Sequence, residues 1–204
     1  GTTAKTCLVE EGLPKMTDQY YIGGYQHGYV MRLPVVDIIE VGAGGGSIAW
    51  IDEGGALKVG PKSAGSSPGP ACYALGGTEP TVTDADIVCG FLNPDYFLGG
   101  AQKLDPAAAR EAIRTRIADP LKMTPLEAAA GVRRIVDMRM ADEVRVFAAK
   151  RGVDLSSFTL LPFGGAGAVH AAAVAEELNM RRILVPPRGG PSGTPKYSSA
   201  PLRR

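Results

Sequence analysis

The sequence predicts an α/β fold, and three segments carry that prediction. Residues 159–185 contain a short apolar strand, the turn Phe163-Gly164-Gly165-Ala166-Gly167, an alanine-rich helix and a second strand. Residues 35–41, VVDIIEV, are rich in β-branched side chains, which favour strands. Residues 125–151 place apolar side chains at spacings of three and four, the pattern of an amphipathic helix. Such a mixture of strands and helices is typical of α/β domains.

The first 60 residues are predicted to be mainly strands and tight turns. Residues 6–9 are expected to form a strand, after which Glu11-Gly12 makes a hairpin turn. Glu53-Gly54-Gly55 separates two apolar runs and predicts a second hairpin. Residues 60–83 then change to Gly, Pro and Ser, a composition that disfavours regular structure. Loops longer than about 12 to 15 residues tend to be either functional or disordered, and the apolar residues and flanking strands of this one favour an ordered loop.

Helix signals follow this loop. Residues 84–92 predict a short helix that stops before Asn93-Pro94. Asp105 precedes Pro106 as an N-cap before a first-turn proline, which predicts a helix over 107–117. Thr124-Pro125-Leu126-Glu127 repeats that signal at the start of the long amphipathic helix, which we expect Gly152 to end.

Charge and composition exclude several classes of protein. With 22 Lys+Arg against 21 Asp+Glu there is no broad basic field, so we expect no nucleic-acid partner. The three cysteines are widely separated and only two histidines are present, which argues against a zinc site and a disulfide framework. Reduced thiols are expected. No run approaches the ~18 apolar residues of a membrane span, and no signal peptide is visible. We therefore expect no membrane association and a cytoplasmic location.

Glycine is enriched, with 27 residues, and it is clustered beside apolar runs. The turn Phe163-Gly164-Gly165-Ala166-Gly167 lies between a predicted strand and a predicted helix, where backbone N–H groups and the helix dipole suit an anion such as phosphate. It lacks the Lys-Ser/Thr of a P-loop and the spacing of GxGxxG, so the sequence argues against both of those families. A purely structural turn is the alternative.

Two other segments suggest backbone contact with a ligand. The run Gly42-Ala43-Gly44-Gly45-Gly46-Ser47 loses much conformational entropy on folding, so it needs either close approach to a ligand or a packed strand. Gly1-Thr2-Thr3 resembles the end of a glycine and hydroxyl turn that binds phosphate, with Lys5 supplying a positive charge. A solvated terminus is the alternative for the second segment.

Four polar side chains are candidates for acid, base or metal chemistry. His27 lies between glycines and aromatic residues and could act as an acid, a base or a metal ligand, or simply occupy a surface hairpin. His170 falls in the first turn of the predicted helix, where it either contacts a ligand or caps the helix, the reading that we favour. Asp84 and Asp86 offer two carboxylates for magnesium binding or base chemistry, and helix capping by Asp84 explains them equally well.

Taken together, several strings resemble one family. Four segments, in chain order, are similar to the hydantoinase A/oxoprolinase family: GTTAKTCLVEEG, PVVDIIEVGAGGGSIAWIDEGGALKVGPKSAGSSPGPACY, GGTEPTVTDADIVCGFLNPDYFLGG and FTLLPFGGAGAVHAAAVAEEL. The resemblance covers residues 1–187 and includes the long helix.

The resemblance implies a fold of the actin, sugar-kinase and Hsp70 type, in which two ribonuclease-H-like domains close over ATP. It implies that Gly1-Thr2-Thr3 ends the second phosphate loop, with Lys5 nearby, and that the first phosphate loop lies outside the chain. Gly164, Gly165 and Gly167 would form the adenosine loop. Residues 42–86, with Gly44, Gly45 and Gly46, would supply inserted loops that face the cleft.

The same resemblance implies an activity. Family members use ATP to phosphorylate a lactam, imide or ketone oxygen, after which hydrolysis or carboxylation follows. The expected function is therefore hydrolysis of a small cyclic amide, with a hydantoinase B-like subunit as partner. From their side-chain chemistry, Asp84 and His27 are the expected catalytic residues and Asp86 the expected ligand of Mg²⁺ (or Mn²⁺). The TTAK string is closer to the hydantoinase and ketone-carboxylase branch than to 5-oxoprolinase. The alternatives are a ketone carboxylase subunit and a noncatalytic remnant that packs against a partner.

The sequence also departs from the family pattern. Ala168 stands where proline is usual, Ala74-Leu75 replaces Gly-Arg, and Asp137 replaces asparagine. Residues 188–204 do not continue the pattern. We therefore expect 1–187 to be a family domain truncated at its amino terminus, 188–204 to be a flexible tail, and the fragment to be inactive alone and to form oligomers through exposed apolar surface.

Overall fold

The computed structural model describes residues 3–22 and 27–185. They divide into two compact units: the first contains the described residues within Lys5–Val41, and the second contains those within Gly1–Ala4 and Gly42–Arg204. The tail predicted at 188–204 lies outside the described residues, as do Gly1 and Thr2.

The first unit consists of short paired strands. The strands are β1 (Ala4–Cys7), β2 (Val9–Glu10), β3 (Leu13–Pro14), β4 (Met16–Thr17), β5 (Tyr20–Ile22), β6 (Tyr29–Met31), β7 (Val35–Val36) and β8 (Ile38–Val41). They pair as β1 with β8, β2 with β3, β4 with β7 and β5 with β6. The predicted turn at Glu11-Gly12 is confirmed, because both residues have positive φ, 53° and 79°, as a two-residue type I′ hairpin turn requires. The strand predicted over 35–41 is interrupted at Asp37.

The second unit begins with the predicted hairpin of β9 (Ser47–Ile51) and β10 (Leu57–Ser63), which pair antiparallel with Leu57 opposite Ile51. Strand β10 continues to Ser63, and a 3₁₀ turn occupies Ala71–Tyr73. The prediction that 60–83 has no regular structure is therefore wrong at both places, and also at Val82 and Thr83, which are helical. The physical reason is that long-range hydrogen bonds order this segment, among them bonds to the carboxylate of Asp84.

Five α-helices follow in the part of the chain that the structure describes, and two of them begin where the sequence predicts. They are α1 (Val82–Val88), α2 (Pro106–Ile113), α3 (Asp119–Leu121), α4 (Pro125–Ala149) and α5 (Gly167–Glu177), with a π-helical stretch, Arg114–Ala118, between α2 and α3. Asp105 caps α2, and a capping box of Thr124 and Glu127 starts α4. The predicted cap of α1 is wrong: Thr81 is its N-cap, and Asp84 completes the capping box as the third helical residue.

The predicted unit of strand, glycine turn, helix and strand is confirmed. Strand β11 (Thr159–Leu160) pairs in parallel with β12 (Arg182–Ile183), and α5 lies between them in the sequence. Helix α4 contacts both α1 and α5 and buries Val132, Val136 and Met140. No helix in the described part of the chain is long and apolar enough to cross a membrane. The mixture of strands and helices confirms the predicted α/β class.

Candidate functional site

The turn before α5 is open to solvent. Gly164 has φ 87°, in the left-handed region that favours glycine, and is half-buried, while Gly165 is exposed. A β-carbon added at either residue would meet nothing within 4 Å. The first amides of a helix have no acceptor within the helix itself. The turn therefore presents backbone N–H groups and the positive end of an 11-residue helix with free space above two of its glycines.

The second glycine run has the opposite character. Gly44, Gly45 and Gly46 are all buried. The carbonyl of Gly45 accepts hydrogen bonds from the backbone N of Thr83 at 2.9 Å and from its hydroxyl at 2.8 Å. The carbonyl of Gly46 accepts from the backbone N of Ala64 at 2.9 Å. These contacts favour the packed-strand explanation of the run over close approach to a ligand.

The two glycine segments nevertheless lie side by side. A β-carbon added at Gly45 would be 2.8 Å from Thr83 Oγ1 and 3.9 Å from the Cβ of Ala166. One added at Gly46 would be 2.8 Å from Ser63 Oγ. The absence of a side chain at Gly45 thus allows the buried run to pack beneath the exposed turn.

Asp84 is fully buried and its carboxylate is saturated by hydrogen bonds. It accepts from the backbone N atoms of Ala71 at 3.2 Å, Cys72 at 2.8 Å and Thr81 at 2.8 Å, and from the Thr81 hydroxyl at 2.8 Å. It thereby joins the start of α1 to the 3₁₀ turn at Ala71–Tyr73. Burial and the Asp84 carboxylate both raise the pKa of the Cys72 thiol. These contacts favour a structural role for Asp84, and its catalytic role stays a prediction.

Asp86 belongs to a buried charged cluster that we define as Asp86, Arg133, Asp137 and His170. The Arg133 guanidinium donates a hydrogen bond to Asp86 Oδ1. His170 Nδ1 lies 2.7 Å from Asp137 Oδ1, and His170 Nε2 lies 3.5 Å from Asp86 Oδ2. All four side chains are at least nine-tenths buried. Burial lowers the pKa of the Arg133 guanidinium, and the Asp137 carboxylate opposes that shift.

This cluster was not predicted from the sequence, although two of its members were noted separately. His170 is expected to contact a ligand or cap α5; instead its side chain is buried, 2% exposed, and bonds to Asp137 of α4. A usable signal was present, because Arg133 and Asp137 lie four residues apart and directly follow Val132 and Val136 of the apolar stripe. Charged residues at these positions around the helix face the protein interior together with the apolar stripe.

The remaining predicted site residues lie elsewhere. Thr3 is exposed, and Lys5 forms an exposed ion pair with Glu40 at 2.7 Å. The hydrogen bond to Glu40 and its charge raise the pKa of Lys5. His27 is exposed and belongs to the first unit, whereas Asp84 belongs to the second. The predicted roles of Lys5, His27 and Thr3 stay predictions, and those of Gly1 and Thr2 lie outside the described residues.

A magnesium or manganese site was also predicted, at Asp86. Over residues 3–22 and 27–185, no group of three or more His, Cys, Asp or Glu side chains could hold a metal ion. The Asp86 carboxylate already forms a buried ion pair with Arg133. The described residues thus contain no three-ligand protein site for a metal ion, and the role of Asp86 as a metal ligand stays a prediction. We assign no chemical step to a metal.

Comparison with known proteins places these features in context. A model of the family described as hydantoinase/oxoprolinase matches residues 1–198. The acetophenone carboxylase gamma subunit of Aromatoleum aromaticum is 49% identical over 151 residues, which cover 74% of this chain and 21% of that subunit.

Two solved structures share the fold. The nucleotide-free structure of acetone carboxylase, from a study of ATP-dependent acetone carboxylation, matches with a TM-score of 0.80 and 36% identity, covering 91% of this chain and 26% of that chain. The ATP-dependent caprolactamase of Pseudomonas jessenii matches with a TM-score of 0.72 and 43% identity, covering 78% of this chain and 23% of that chain. The α/β fold expected from the resemblance is confirmed. With its family match over residues 1–198, this chain belongs to the hydantoinase/oxoprolinase family.

Proposed function

We propose that this chain forms part of the nucleotide-binding subunit of an ATP-dependent hydantoinase/oxoprolinase-type enzyme. One observation carries the proposal: the turn at Gly164–Gly167 is exposed, has free space above Gly164 and Gly165, and opens directly into α5. Backbone N–H groups at a helix amino terminus bind anionic groups, including phosphate. The turn therefore suits a nucleotide, and Gly164, Gly165 and Gly167 are its proposed contacts.

ATP supplies a phosphoryl group in the proposed reaction. Amide resonance protects the carbonyl carbon of a cyclic amide from attack by water. Transfer of the phosphoryl group to the carbonyl oxygen would turn that oxygen into a leaving group. The part of this chain is to hold and orient the nucleotide, because oriented amides stabilise charge without reorganising during the reaction.

The substrate proposed first is a small cyclic amide, and a ketone is the second candidate. The caprolactamase similarity supports the first, since its 43% identity extends over 78% of this chain. The 49% identity to a subunit of acetophenone carboxylase supports the second. ATP turnover by the complete enzyme that contains this sequence distinguishes them. Dependence on a lactam or hydantoin alone supports the hydrolase, and dependence on a ketone with bicarbonate supports the carboxylase.

A partner subunit is also proposed. The relatives are named as subunits, gamma in acetophenone carboxylase and alpha in caprolactamase. Large apolar side chains are exposed here as well, including Leu13 at 71% and Tyr29 at 84%. Exposed apolar surface is expected where further protein packs. The proposed partner is a hydantoinase B-like subunit, and light scattering tests the expected self-association of the isolated chain.

Magnesium-ATP binding, measured by calorimetry, tests nucleotide binding most simply. We compare the chain with Gly165→Val, which places a branched side chain in the free space above the turn. The structure predicts that the variant folds, because no atom lies within 4 Å of the added β-carbon and Gly165 does not have positive φ. Ala172→Val is the matched control, since it places the same side chain at an exposed position on α5, the helix that follows the turn.

We expect the chain and Ala172→Val to bind magnesium-ATP with similar affinity. The affinity of Gly165→Val should be at least about tenfold lower, because a misplaced ligand loses contacts steeply with distance. Equal binding by all three proteins would contradict the assignment of the turn. Absence of binding by all three folded proteins would instead support the remnant hypothesis, in which the segment only packs against a partner.

A further inference from the structure

The buried charged cluster joins three helices at the start of α5. Asp86 lies on α1, Arg133 and Asp137 lie on α4, and His170 lies on α5. The guanidinium of Arg133 also lies 3.8 Å from the centre of the Phe91 ring, where a cation–π contact is favourable. His170 lies three residues beyond Gly167, so the cluster adjoins the exposed glycine turn.

Two separate contacts hold the first turn of α5. His170 reaches Asp137 through Nδ1 at 2.7 Å, and Arg133 donates through Nη2 to the carbonyl oxygen of Val169 at 3.3 Å. One contact fixes a side chain and the other fixes the backbone. Together they attach the residues that follow Gly167 to the middle of α4, and this restricts both the position and the rotation of the helix end.

Stability alone is a poor explanation of this cluster. Burying charges costs several kcal/mol per ion, and well-packed apolar side chains of similar volume are often about as stable. The imidazole is also incompletely satisfied, because His170 Nε2 has no hydrogen-bond partner among the described residues and only approaches Asp86 Oδ2. The cluster instead fixes the orientation of the groups that it joins, because a hydrogen bond depends on angle and an apolar contact does not.

We propose that Arg133, Asp137 and His170 are positioning residues for the nucleotide: they hold the first turn of α5 so that the amides of the glycine turn keep the geometry a phosphate-bearing ligand requires. This inference rests on the proposed function. It assigns no contact with the nucleotide to any of the three side chains, because all three are buried and act through the backbone of the turn.

Three variants separate positioning from general stability. His170→Phe keeps a planar ring but removes the hydrogen bond to Asp137. His170→Asn is the rescue variant, since its side-chain amide can donate from near the position of Nδ1. Val174→Ala is the matched control, because it leaves a cavity at a buried position on the same helix and removes none of the hydrogen bonds of the cluster.

Two readouts are made well below the melting temperature of each protein. The first is the amide spectrum of Gly164, Gly165 and Gly167 by NMR without nucleotide, and the second is calorimetric binding of magnesium-ATP. We expect His170→Phe to shift or broaden the three amide signals and to weaken binding at least about tenfold. His170→Asn should recover most of the affinity, and Val174→Ala should lose stability with unchanged signals and affinity.

The proposal is overturned if His170→Phe leaves the turn signals in place, or if Val174→Ala perturbs them equally. If the unaltered chain binds no magnesium-ATP, the proposed function fails, and the nucleotide-free spectra still decide whether the cluster positions the turn. Should His170→Phe not fold, Asp137→Ala removes the same hydrogen bond from the α4 side. The proposal is then overturned if Asp137→Ala leaves the turn signals in place, or if Val174→Ala perturbs them equally.

Discussion

The two glycine turns of the second unit have similar composition and opposite environments. Gly44, Gly45 and Gly46 are buried, and the carbonyls of Gly45 and Gly46 bond to Thr83 and Ala64. At the other turn, Gly164 and Gly165 have free space where a side chain would be. In the first turn, glycine allows backbone and side chains of the same protein to approach each other. In the second, it leaves room that the protein does not fill, and this is the property a ligand site requires.

The largest expected effect is on the packed side of this comparison, at Asp84. Asp84→Ala removes the acceptor of four hydrogen bonds and leaves the buried amides of Ala71, Cys72 and Thr81 without it. We expect the free energy of unfolding to fall by roughly 3 to 5 kcal/mol, because each unsatisfied buried group costs about 1 to 3 kcal/mol. Denaturant unfolding measures this, with the exposed cap variant Asp154→Ala as a control of much smaller effect. A variant of unchanged stability that loses activity in the complete enzyme would restore the catalytic role predicted for Asp84.

The next effect tests the tight packing at Gly45. Gly45→Ala would place a methyl group 2.8 Å from Thr83 Oγ1, so we expect a loss of about 2 kcal/mol from overpacking. In a Thr83→Ala background the obstacle is gone, and the same substitution should cost at least about 1 kcal/mol less. A double-mutant cycle by denaturant unfolding gives the coupling. Additive losses would show that the contact between these two residues does not limit the packing of the run.

The smallest expected effect is on the open side. Gly165→Ala should change the free energy of unfolding by less than about 0.5 kcal/mol, as is usual for exposed positions. Thermal and denaturant unfolding of the variant, run beside Gly45→Ala, measure the difference between the turns directly. A loss at Gly165 as large as that at Gly45 would mean that the exposed turn is also needed for packing.

Local signals in the sequence predicted the elements that depend on neighbouring residues. Thr124 with Glu127, and Asp105 with Pro106, mark helix starts that the structure confirms. The order of strand, glycine turn and helix around Gly164 was equally visible. These features rest on hydrogen bonds within a few residues, which caps and turn residues report.

Features that depend on distant residues were missed or misassigned. Thr81, not Asp84, caps α1, because the Asp84 carboxylate also binds amides 12 and 13 residues away. The charged cluster joins residues 33 and 47 positions apart. The helical spacing of Arg133 and Asp137 indicates that they face the interior, but no local pattern identifies Asp86 and His170 as their partners. Composition likewise could not tell the buried glycine run from the open one, since the distinction depends on what packs against each.

The central claim is that the exposed turn, and not the buried run, meets the nucleotide. Titration of the glycine-labelled chain with magnesium-ATP, followed by amide NMR, tests it directly. We predict that the signals of Gly164, Gly165 and Gly167 move with saturating behaviour while those of Gly44, Gly45 and Gly46 move little. Saturating shifts confined to Gly44, Gly45 and Gly46 would contradict the claim and return the buried run to the role first expected of it.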